Sequence, residues 1–157
     1  MTAAREWFEQ VRDAAADIER TARVLERMRA AEGVRGASLG PSVSGSREDV
    51  NGTARVDARM DFERRSRRRL EGDRELLRRA GDVIFGPDGD GGIGRGIGPE
   101  YATVVWLRSV AYGPGLSTWR NVADRMGMSV TACRERYAVA MDYVDSVGLG
   151  ALEGREA

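Results

Sequence analysis

The chain has 157 residues with 25 basic and 25 acidic side chains, so no overall charge draws it toward nucleic acid or anionic lipid, and any such attraction requires local segregation. Every basic residue is arginine, histidine is absent and cysteine occurs once, which excludes histidine acid–base chemistry, Cys/His metal sites and a disulfide framework. Aromatic residues make up only 6% of the chain, pointing to a small domain with an extension rather than one large core.

No apolar run approaches the roughly 20 residues of a membrane span. The N-terminal stretch MTAAREWFEQ is charged within its first turns, unlike a signal peptide. A cytoplasmic, reduced setting without cofactor is the expectation. The arginines are spread along the whole chain, which fits biased codon usage better than a design for phosphate.

From Trp7 the apolar positions fall at Val11, Ala14, Ile18, Leu25 and Met28, the alternating steps of four and three that mark a narrow helical seam. The spacing predicts one helix over 3–32, ending at Gly33. Its other faces carry seven acids and six arginines, several at i, i+4 spacing, and read as solvated. Residues 33–53 collect glycine, serine and proline without a period and are expected to be a flexible connection.

A second helix is expected from near Ala54 to Phe85, with Val56, Leu70, Leu77 and Ile84 on its seam and Met60 beside it. Neither helix can bury its stripe alone, so the economical arrangement is an antiparallel hairpin or a bundle between copies. A homo-oligomer through these helices is therefore expected. Within the second helix, ten arginines meet six acids across residues 55–79. Arg64, Arg67 and Arg68 share a face there, available to DNA phosphates or to acids of the first helix such as Glu19 and Glu26.

The stretch GPDGDGGIGRGIG at 86–98 has neither GxGxxG nor a Walker lysine. Asp88 and Asp90 begin like a calcium loop, but its twelfth position is Pro99, so the segment reads as a hinge. Gly98 and Pro99 then suit the start of a helix running to Tyr112. Ser117 is the expected cap of a short helix carrying Trp119, Val122, Ala123 and Met126 on one face. Ala123, Gly127 and Cys133 follow at the spacings of a helix-turn-helix: a small residue at the crossing, one tolerant of positive φ, and a small anchor in the second helix. Ser129 can cap that second helix, whose buried face would be Cys133, Tyr137, Ala140, Met141 and Val144, with Val130, Thr131, Arg134 and Glu135 opposite.

The stretch LSTWRNVADRMGMSVTACRERYAVAM resembles sigma-factor region 4 and, more closely, the small phage-encoded late-gene regulators of the ArpU and RinA type. The upstream organisation is loosely similar as well. The resemblance implies base-facing positions at Val130, Thr131, Arg134 and Glu135, Ser129 near a phosphate, and RNA polymerase as a permitted partner. Two positions depart from the pattern: Val130 stands where a polar residue is common, and Arg136 where an inward apolar residue is usual, so that either Tyr137 fills that volume or Arg136 snorkels past the core edge.

The expected architecture is thus all-α: a long, coiled-coil-like helical hairpin over 1–85, a Gly-rich linker over 86–98, a three-helix helix-turn-helix module over 99–148 and a tail over 149–157. Its expected function is sequence-specific binding of double-stranded DNA, as a phage or prophage transcription regulator. Arg134 suits a bidentate contact to guanine, Glu135 accepts from cytosine, and Arg120 and Arg125 can reach phosphates. The alternatives are a DNA-recognition subunit of phage packaging, like a small terminase, and a helical adaptor that binds only protein. Cys133 and the tryptophans Trp7, Trp106 and Trp119 read as packing residues. With no convergent constellation of reactive groups, an enzyme is not expected.

Overall fold

The computed structural model describes residues 1–37, 45–111, 113 and 115–154. Every regular element among them is an α-helix: α1 (Ala3–Ala37), α2 (Gly45–Phe85), α3 (Gly92–Ile97), α4 (Pro99–Ser109), α5 (Trp119–Met126), α6 (Val130–Val147) and α7 (Leu149–Leu152). The two long helices invade the expected connection from both sides, and residues 38–44, where flexibility was expected, lie outside the described residues.

Contacts between α1 and α2 run in opposite order along the chain. Arg59 pairs with Glu32 at 2.9 Å, Arg29 with Glu63 at 3.1 Å, Arg69 with Asp17 at 2.8 Å, and Arg79 covers the Trp7 ring at 5.5 Å. Among the described residues, Arg64, Arg67 and Arg68 do not join these cross-helix pairs: all three are exposed, Glu19 pairs with Arg23 on its own helix, and Arg64 meets Asp61 at 3.9 Å. Arg59 and Arg69 take the role instead.

The seam also differs from its expected phase. On α1 the fully buried face is Ala4, Phe8, Val11 and Ala15, while Trp7 is only partly covered and meets Phe8 edge-on. On α2, Ala80, Val83 and Ile84 are buried, whereas Val56 and Met60 are exposed. Apolar burial is concentrated at the end of the pair where the remaining helices gather, while Thr21 and Ser66 are buried farther along it.

That gathering is one core. Phe8 and Val11 meet Val83 and Ile84, Ile93 of α3, Val104 and Val105 of α4, Val122 of α5, Met141 and Val144 of α6 and Leu152 of α7. Residues 86–98 are therefore no hinge: they turn tightly and bury Ile93 completely. Their glycines are needed for close approach. Gly92 has φ +59°, and a Cβ there would strike the carbonyl oxygen of Val83, while a Cβ on Gly96 would strike the Tyr143 ring. The expected tail is likewise packed, with Leu152 and Glu153 buried and Arg79 forking onto the Glu153 carboxylate at 2.9 and 3.1 Å.

Candidate nucleic-acid interface

The short helix α5 is capped by Thr118, not Ser117. The Thr118 hydroxyl accepts from the Asn121 amide at 3.3 Å and donates to the Gly115 carbonyl at 3.0 Å. Ser117 is engaged elsewhere: its hydroxyl accepts from Arg12 Nε at 3.3 Å and its carbonyl from Arg108 at 2.6 Å.

At the other end of α5 the chain turns through Gly127, at φ +64°. The Met128 amide donates back to the Ala123 carbonyl at 3.1 Å and the Gly127 amide to that of Asp124 at 3.4 Å, the paired closure of a Schellman motif. Ser129 then caps α6, its hydroxyl accepting from the Ala132 amide at 3.1 Å. The chain thus breaks between two helices whose small residues, Ala123 and Cys133, are both buried. Cys133 is fully covered, and burial pushes its thiol above the usual range, away from reactivity.

Tyr137, Ala140, Met141 and Val144 extend the inward face of α6. The two departures at its start now have an account. Val130 is half-buried and packs against the core instead of facing outward. Tyr137 occupies the inward volume, and Arg136 turns to Glu100 at the start of α4, at 3.1 Å. Ser129, Thr131, Arg134 and Glu135 remain exposed.

Internal pairing withdraws few of the module's charges, and Asp124, Glu135 and Asp142 stay exposed as the arginines do. From Pro99 to Val147 there are five arginines and five acids. Of the acids, Glu100 holds Arg136, and Asp145 accepts from the Ala4 amide at the start of α1, at 2.9 Å. Arg120, Arg125 and Arg134 are exposed and form no ion pair among the described residues. Arg67 and Arg68 on α2 are also exposed without an ion pair, but they belong to the part of α2 that leaves the core.

Arg108 and Trp119 form a feature that local sequence signals do not reveal. The Arg108 guanidinium lies 4.5 Å over the Trp119 ring and that of Arg134 lies 5.8 Å from it, while Tyr137 meets Trp119 edge-on at 5.3 Å between centroids. The only hint in the sequence is an arginine within the apolar stretch TVVWLRSVA.

Among the described residues no three His, Cys, Asp or Glu side chains gather where they could hold a metal ion, and no helix is long and apolar enough to cross a membrane. These features define an all-helical protein with a capped glycine corner and an exposed arginine-bearing helix start. No protein-family model matches the chain, and no curated protein or solved structure matches it either.

Proposed function

We propose that the chain is a sequence-specific DNA-binding protein in which α4, α5 and α6 act as a helix-turn-helix module and the start of α6 enters the major groove. The observation that carries this reading is the conjunction at Gly127. Two capped helices meet there at a left-handed residue, and the outward side of the second presents Thr131 and Glu135, and Arg134 beside the Trp119 ring, with no ion pair among the described residues. That is what a reading helix requires: an inward face that fixes its orientation and an outward face free to bond base edges.

Arg134 donates to guanine, Glu135 accepts from cytosine, and Arg120 and Arg125 grip flanking phosphates with Ser129 at the helix start. The resemblance to phage late-gene regulators makes a transcription regulator of a phage or prophage, working in the cytoplasm of a bacterial host beside RNA polymerase, the preferred role. Self-association through α1 and α2 belongs to the same proposal, supported by the exposed Val56 and Met60 on α2.

Titration with random and phage-derived duplexes across salt, together with the mass in solution, tests the reading. A monomer or dimer with sequence preference is expected, and Arg134→Ala lowers affinity for the preferred duplex by about 1–3 kcal/mol. Equal binding by Arg134→Ala and the parent removes the assignment of α6. A ring of about eight or more subunits would favour a packaging subunit, and absence of binding at low salt an adaptor for protein alone.

A further inference from the structure

Three guanidiniums from three helices converge on the short segment from Ser117 to Trp119. Arg12 of α1 donates to the Ser117 hydroxyl, Arg108 of α4 donates to the Ser117 carbonyl, and Arg108 and Arg134 share the Trp119 ring. Like charges gathered this closely repel one another. Glu9 is the nearby acid: it lies 4.0 Å from Arg12, and its charge also offsets part of the repulsion at Arg108.

Burial, followed by the neighbouring charge of Arg12, outweighs the opposing charge of Glu9 and, with a smaller push from Arg134, holds the Arg108 guanidinium below its usual range. Part of its donor fork is used by Ser117 and its plane is covered by Trp119, leaving further N–H groups in a fixed orientation. An anion with several acceptor oxygens satisfies such an arrangement, and phosphate, like carboxylate, matches the fork of arginine. The cluster is continuous with the proposed groove-facing side of α6, because Arg134 belongs to both.

We propose that Arg12 and Arg108 together hold one backbone phosphate of the duplex on which α6 docks, making the long helix α1 a direct part of the nucleic-acid interface. This rests on the DNA-binding reading of α6 and adds to it a contact from more than a hundred residues upstream. The contact carries no sequence information: it fixes how the duplex lies across the α1–α4 junction. Glu9 opposes it, since its carboxylate competes for Arg12.

The test is duplex binding across salt by the full chain, with one preferred and one random duplex, comparing the parent with Arg12→Gln and Glu9→Gln. Arg12 is a partly exposed surface residue, so its replacement leaves the core intact, and circular dichroism verifies the helices of each variant. Arg12→Gln is expected to weaken binding to both duplexes several-fold and equally, and to lower the slope of log affinity against log salt by about one. Glu9→Gln is expected to tighten binding to both. An unchanged salt slope in Arg12→Gln overturns the phosphate site while leaving the reading of α6 standing, and a loss confined to the preferred duplex overturns it too, because that marks a base contact. A parent chain that binds neither duplex at low salt overturns both.

Discussion

Asp17 of α1 and Asp73 of α2 share a hydrogen bond across the seam between the two long helices, with Arg69 on the Asp17 side at 2.8 Å. Burial, then the hydrogen bond and charge of Asp17, pushes Asp73 up to about 6, while the hydrogen bond from Asp73, with Arg69 beside it, holds Asp17 below the ordinary carboxylate range. One oxygen of Asp73 is buried without a partner. The pair is a single-proton arrangement within the helix seam.

The sign of its pH dependence follows. Asp73 binds its proton more tightly folded than unfolded, so its contribution is present in mild acid and is lost as pH rises from about 4 through about 6. Asp17 works in the opposite sense, losing its contribution as pH falls below the unfolded value. Asp73→Asn keeps a donor toward Asp17 and removes the second charge. It is expected to match the parent near pH 5 and to exceed it by about 1–2 kcal/mol at pH 8, a discounted value because the site is partly exposed. Urea denaturation at both pH values measures this, and an identical difference between the two proteins at each would refute the shared proton.

Gly92 and Gly127 both adopt positive φ, yet for different reasons, and alanine separates them. A Cβ on Gly127 meets nothing within 4 Å, so Gly127→Ala carries only the left-handed backbone penalty of about 1–2 kcal/mol, and the corner between α5 and α6 survives. A Cβ on Gly92 meets backbone atoms of Val83 and Ile84, which cannot move without disturbing the core. Gly92→Ala is expected to cost about 3 kcal/mol or more. Thermal melts of the two variants rank the positions, and equal losses would contradict the close packing of α3 on α2.

The same comparison explains what the sequence disclosed and what it withheld. The corner at Gly127 was legible because its parts are local: the caps, the turn glycine and the small residues at the crossing lie within a dozen positions, and each has its own side-chain chemistry. In sequence the glycines at 86–98 look like a hinge, because a missing side chain looks the same whether it confers freedom or permits contact. Only Val83 and Tyr143, brought near by the fold, tell the two apart. On α1 the pattern of threes and fours fits Trp7 as well as its neighbour Phe8, and periodicity alone does not say which of two adjacent stripes meets the other helices. The convergence of Arg12 and Arg108 on Ser117 is a tertiary fact without local precursor. In the candidate site, Thr131, Arg134 and Glu135 are exposed as expected, but Val130 is drawn inward because an apolar side chain beside a core edge gains by covering it.

Arg79 and Glu153 offer an asymmetric test of the packed C-terminus. The Glu153 side chain is 3% exposed and that of Arg79 is 29% exposed. Replacing Glu153 by alanine leaves a guanidinium that can turn toward water and still lie over Trp7, so the expected cost is about 1–2 kcal/mol. Replacing Arg79 by alanine removes two charge-assisted hydrogen bonds from the Glu153 carboxylate and uncovers the Trp7 ring as well, so the loss should be the larger of the two, about 2–3 kcal/mol. Urea denaturation of both variants at neutral pH decides the matter. Equal, small losses would mean that residues beyond Gly148 contribute little to the fold, whereas the larger loss in Arg79→Ala identifies Glu153 as the buried end of an ion pair that fastens the last helix to α2.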